Sequence, residues 1–130
     1  MAHWTDAYIG LPYIPGEQDC AAVVARVQRE VFGRAVTVPA ERADGPFGKS
    51  AQIAQGAQDL ADPVAVATEG DVVLMQVRGL WHVGVWFHQG EPWVLHALRS
   101  SGQVVCHRLR DLTGLGIRVE GFYRMRCDGL

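Results

Sequence analysis

The stretch that decides the fold is YIGLPYIPGEQDCAAVVARVQREVFG, residues Tyr8 to Gly33, where a turn-rich entry becomes an amphipathic helix beginning at Cys20. Val24, Val27 and Val31 recur at i, i+3 and i+7 with Val23 beside them, while Arg26, Gln28, Arg29 and Glu30 take the other side. Cys20 lies one helical step before Val24 and shares the core-facing stripe. Asp19 is a natural N-cap, and Gly33 supplies the C-terminal stop. A thiol at that position feels the positive end of the helix dipole and unsatisfied backbone N–H groups, both of which favour thiolate.

Downstream, residues 34–69 read as a connector. Pro39, Gly45, Pro46 and Gly48 mark a loop, and SAQIAQGAQDLA predicts a short helix before Pro63. From Asp71 the pattern turns to β. DVVLMQV, WHVGVWF, WVLHAL, QVVCHRL and RVEGFYRM are β-branched or aromatic runs separated by short glycine-bearing turns. Short connections favour an antiparallel meander. The class is α+β, with the Cys20 helix packed on a five-stranded antiparallel sheet, and residues 1–130 form one domain.

Two histidines fall in the strand runs, His82 and His96. Alternation puts His82, Gly84 and Trp86 on one face of their strand, and a glycine two residues from an imidazole leaves open space of the kind a cleft needs. A two-residue turn at Gln89–Gly90 would send His96 to the other face. A three- or five-residue loop centred on Gly90 would pair Gly84 with His96 and make the histidines diagonal neighbours, and Pro92, which cannot donate to a ladder, favours the wider loop. Cys20 would then be the nucleophile, His82 its general base and acid, and His96 the group fixing the His82 tautomer. The Cys20 backbone N–H and the Tyr13 hydroxyl would face the developing oxyanion.

The rest of the composition excludes several classes. A net charge of −2 and the lack of a basic block argue against nucleic acid and acidic lipid. No apolar run is long enough for a membrane span, and MAHWTDAYIG lacks the features of a secretory signal. The three cysteines, Cys20, Cys106 and Cys127, form no CxxC pair and suit a reduced protein. Zinc on Cys20, His82 and His96 is not expected without HExxH, paired CxxC or a nearby carboxylate, and no cofactor is implied. The bland alternatives are a buried core cysteine at 20, sheet packing for Trp4, Trp81, Trp86 and Trp93, and solvated positions for His3, His88 and His107. Of the tryptophans, Trp86 is the best placed to line a cleft.

The order Pro12–Tyr13, Asp19–Cys20, Gly70–Asp71, His82–Val83–Gly84 and His96–Ala97 resembles the NlpC-type papain-like cysteine peptidases over nearly the whole chain. CAAVVARVQREVFG followed by Val38–Pro39, and the ending RVEGFYRM, resemble the branch carried by tailed bacteriophages as a tail-tip component. Ala21–Ala22 stand where the family usually has serine or tryptophan followed by glycine, and the interval from His82 to His96 is slightly longer than usual. The resemblance implies a papain-like fold and hydrolysis of an amide in peptidoglycan stem peptides, typically between D-glutamate and a diamino acid. It implies Cys20 as nucleophile, His82 as general base and acid, His96 as the orienting residue and Tyr13 as an oxyanion-side donor; Asp19, beside Cys20, and Trp86, on the His82 face, are further candidates on the oxyanion or substrate side. It further implies other tail-tip proteins as partners and a place in the virion after synthesis in the host cytoplasm. The main alternative is a structural tail-tip protein that keeps the fold with catalysis silent. A thiol acyltransferase on the same scaffold is a third reading.

Overall fold

The computed structural model describes residues 3–35, 53, 55 and 60–126. Helix α1 spans Cys20–Glu30, and among the described residues six strands follow: β1 Ala61–Val64, β2 Val72–Val77, β3 Leu80–His88, β4 Pro92–Leu98, β5 Gln103–Arg108 and β6 Ile117–Met125. All neighbouring strands are antiparallel, in the order β1-β6-β2-β3-β4-β5. The α+β class and the helix-on-sheet arrangement therefore stand as the sequence implies.

Two details of the sheet differ from the sequence reading. β6 returns to pair with β2 instead of extending the meander beyond β5. A sixth strand, β1, takes residues that the sequence assigns to the end of a helical connector. Ile53, Gln55 and Leu60 are helical, and the chain then turns directly into β1 at Ala61. ADPV has neither β-branched alternation nor strand length, so its pairing with Arg124, Tyr123 and their neighbours on β6 is what makes it a strand. Pro63 is accommodated because β1 lies at the sheet edge, where a ladder needs donors on one side only. The expected loop at Pro39, Gly45, Pro46 and Gly48 lies outside the described residues, as does Cys127.

Asp19 starts the helix as the sequence predicts: its Oδ1 accepts from the Ala22 N–H at 3.0 Å and its Oδ2 from the Gly16 N–H at 3.2 Å. Val31 is the C-cap, and Gly33 follows with φ of 66°. Val23, Val24 and Val27 pack with Cys20 on Leu74, Val85, Phe87, Leu95, Ala97 and Val104. Each such fully buried aliphatic or aromatic side chain contributes about 1.5–3 kcal/mol of hydrophobic stabilisation. A second cluster joins Val73, Met75, Val94, Leu112 and Ile117, the opposite parity on β2 and β4.

The Gly70–Asp71 pair explains how α1 is held to the sheet. The buried Gln28 side chain of α1 donates through Nε2 to the Gly70 carbonyl at 2.8 Å, and the Gly70 N–H donates to Trp86 O at 2.9 Å. Gly70 has φ of 90°, and a Cβ there would meet the Phe32 ring at 2.8 Å. Asp71, fully buried, accepts two bonds from Arg124 (3.0 and 2.9 Å) and one from the Thr68 N–H at 2.8 Å. Burial opposes its charge, but the Arg124 and Thr68 bonds prevail and hold the carboxyl below its ordinary value.

Candidate functional site

The hairpin between β3 and β4 settles the register that the sequence leaves open. His88 pairs with Pro92 across a three-residue loop, Gln89–Glu91, with Gly90 at φ of 76°. The ladder runs on through Phe87–Trp93, Trp86–Val94 and Val85–Leu95. Carried one step past the last pair, this register would set Gly84 opposite His96, the wider-loop arrangement, and a Cβ on Gly84 would stand 3.1 Å from His96 Cβ. His82 and His96 become diagonal neighbours, and His82 Nε2 lies 2.8 Å from His96 Nδ1.

Gly84 plays a different part from the open space expected of it. A Cβ at this position would stand 2.5 Å from Val94 Cγ1, 2.8 Å from the Leu95 carbonyl oxygen and 3.1 Å from His96 Cβ. The missing side chain leaves no cavity; it lets β4 press close, and that approach brings the two imidazoles within hydrogen-bonding range.

The chain of imidazoles does not end at His96. His96 Nε2 lies 2.9 Å from His107 Nδ1, so three histidines step across β3, β4 and β5. The rings meet edge-on, at 61° for the first pair and 77° for the second. His107 was expected to be solvated and is instead half-buried in this network. The strand run QVVCHRL contains the signal that could have found it. Alternation along β4 and β5, with His96 opposite Val105, places His107 diagonally from His96 on the same face.

Burial differs along the chain of rings. His96 is 1% exposed and His82 8%. Burial pushes the His96 pKa down to about 2, and the charges that His82 and His107 can carry add to the effect. His96 is therefore a neutral imidazole. Burial also lowers the His107 value, against the opposing pull of the Asp111 carboxylate.

Cys20 is the first residue of α1, 3% exposed and reduced, and it packs in the cluster that joins α1 to β3, β4 and β5. Its helix lies against β3 and β4, the strands that carry His82 and His96. The three histidines have the parity of Val94 and Trp86, whereas Val83, Val85 and Leu95 are the residues beneath α1. The turn before Cys20 is tied to the start of β5: the Tyr13 N–H donates to Gly102 O at 2.9 Å and the Val104 N–H to Leu11 O at 2.8 Å. Tyr13 packs partly buried against the helix cluster. Asp19, buried beneath the turn, acts as cap and turn-former. Trp86 packs partly buried on the second cluster with its ring 6.2 Å from that of His88.

Cys106, on β5, has a thiol that burial pushes up to about 12, with the Asp6 charge adding to the rise. Among the described residues no group of three His, Cys, Asp or Glu side chains is arranged to hold a metal ion, and no helix is long and apolar enough to cross a membrane. The three imidazoles point their nitrogens at one another and do not converge on a common centre. His3, also expected to be solvated, caps the turn Trp4–Ala7 and bonds Thr5 Oγ1 at 2.9 Å.

No family model matches this chain, and no curated protein matches it.

Proposed function

We propose that this chain is a papain-like cysteine peptidase of the NlpC type that hydrolyses an amide in peptidoglycan stem peptides, as a component of a phage tail tip. The observation that carries this reading is the buried 2.8 Å bond between His82 Nε2 and His96 Nδ1, on strands packed against a helix whose first residue is Cys20. On this reading Nε2 of His82 serves His96 and Nδ1 serves the thiol. The reading requires Cys20 Sγ and His82 Nδ1 to meet where α1 begins, beyond the part of the sheet that α1 covers, since the imidazoles take the parity of Val94 and Trp86 and not that of Val83 and Leu95 beneath the helix.

The chemistry follows from those assignments. The thiol proton passes to His82 Nδ1, and Sγ attacks the scissile carbonyl carbon. The resulting oxyanion is stabilised by the Cys20 backbone N–H and the Tyr13 hydroxyl. The imidazolium returns its proton to the departing amine, leaving a thioester at Cys20. Water, deprotonated by His82, attacks the thioester; the acid is released and the thiol restored. His96, neutral and buried, accepts from the Nε2–H of His82 throughout and keeps the ring oriented. The test is release of new amino groups from purified peptidoglycan. Wild type should release them and Cys20→Ala should not; equal release sinks the reading.

A second reading, a structural tail-tip protein with catalysis silent, is favoured by one observation: Cys20 is only 3% exposed. The rate of Cys20 alkylation against pH separates the two. A thiolate titrating well below ~8.5 supports the peptidase, and an inert or ordinary thiol supports the structural role.

A further inference from the structure

The histidine chain has one member more than a thiol–imidazole pair with an orienting third group requires. We infer that His107 is a positioning residue that sets the proton order along His107–His96–His82, and so decides which nitrogen of His82 carries its proton. The inference rests on the thiol–imidazole reading for its catalytic meaning, but its physical content does not.

The argument is one of counting protons. Each of the two N···N contacts, 2.8 Å and 2.9 Å, needs one N–H between its nitrogens. A neutral imidazole has one N–H and one lone pair. His96 is buried and neutral, so it donates in one contact and accepts in the other. Two orders exist. In the first, His82 donates from Nε2 to His96 Nδ1, and His96 donates from Nε2 to the lone pair on His107 Nδ1. His82 then has its lone pair on Nδ1 and can also accept a second proton there. In the second, His107 donates from Nδ1 to His96 Nε2, and His96 donates from Nδ1 to His82 Nε2. Neutral His82 must then carry its proton on Nδ1, where it cannot receive one from a thiol.

Protonated His107 has an N–H at both nitrogens and permits only the second order. Acid thus disables the base at His82 from two strands away. The groups that bias His107 are His96 from β4 and the Asp111 carboxylate from the turn after β5. Arg108, next along β5, pairs with Asp111 at 3.3 Å and lies 3.9 Å from Glu91 in the β3–β4 loop. Burial outweighs Asp111, so the loss falls below the ordinary histidine range.

The experiment uses protein labelled with 15N in the imidazole rings, in which long-range couplings identify the protonated nitrogen of each histidine. Wild type is titrated towards acid beside His107→Asp, an acceptor wherever its carboxyl is ionised, and His107→Lys, a donor throughout. The expected result is His96 protonated on Nε2 in His107→Asp, on Nδ1 in His107→Lys, and switching between them in wild type as His107 protonates. Cys20 alkylation should be slower in His107→Lys than in His107→Asp by on the order of a hundredfold, and the part of the wild-type acid decline that follows His107 protonation should be missing from His107→Asp. If His96 keeps its proton on one nitrogen in both variants and through the wild-type titration, the inference is overturned. If the proton moves as described while Cys20 alkylation ignores both His107 and a His82→Ala change, the proton order stands and the peptidase reading falls.

Discussion

Gly84 lies so close to His96 that a Cβ on the glycine would stand 3.1 Å from the histidine's own Cβ, with Val94 and the Leu95 carbonyl closer still. Gly84→Ala therefore overpacks a site where one neighbour is backbone and cannot swing aside. The expected cost is about 1–3 kcal/mol, read as a lower urea midpoint at unchanged slope. β4 must also move outward, so the His82–His96 contact lengthens and the 15N signature of that hydrogen bond weakens.

His96 makes stability depend on pH in a defined window. Its folded value is about 2 against 6.5 for the ordinary residue, so the unfolded chain binds the proton that the folded chain refuses. The stabilisation is fully present above the unfolded value and declines as pH falls through that window, by about 1.4 kcal/mol per pH unit. Denaturant midpoints measured down from neutral pH should show this slope, and His96→Asn should be flatter over the same range. Asp71 adds a further decline only below the ordinary carboxylate range, because its folded value is lowered.

The thiols of Cys20 and Cys106 should separate cleanly by reactivity. With its value pushed up to about 12, Cys106 is essentially all thiol at neutral pH. Its alkylation should be slower than that of an ordinary cysteine by on the order of 10³. Peptide mapping after brief iodoacetamide treatment should find Cys106 unmodified, giving an internal reference for the rate at Cys20.

Removing the helix cap should affect stability and site together. Asp19→Ala deletes the acceptor for the Ala22 and Gly16 N–H groups, at an expected cost of about 1–2 kcal/mol. Asp19→Asn, which restores an acceptor, should recover most of it. Since Cys20 is the next residue, the pH profile of its alkylation should shift in the alanine variant and return in the asparagine variant.

The helix was legible because its signals are local: a capping aspartate, a valine stripe and a glycine stop lie within fifteen residues. The strands from Val72 onward were legible for the same reason, and Pro92 correctly pointed to the wider β3–β4 loop. β1 was not, since ADPV becomes a strand only through β6, about sixty residues on. The role of Gly84 is hidden from the sequence because alternation tells which face a residue takes but not how closely the next strand approaches. His107 is hidden for a related reason. A histidine near the end of an edge strand looks solvated until the registers of two successive hairpins are known, and only then does it fall beside His96.

The bonds that tie Gly10, Leu11 and Tyr13 to Gly102 and Val104 have a consequence for the order of events in folding. Helix α1 can nucleate as soon as it leaves the ribosome, but the turn that aims its first residue has its partners some ninety residues later. β2 likewise lacks one neighbour until β6 is made. The turn leading into Cys20 is thus anchored only after β5 has emerged, and a nascent or truncated chain ending before Gly102 holds its thiol without the frame around it. Completion of the sheet acts as a timer on the thiol.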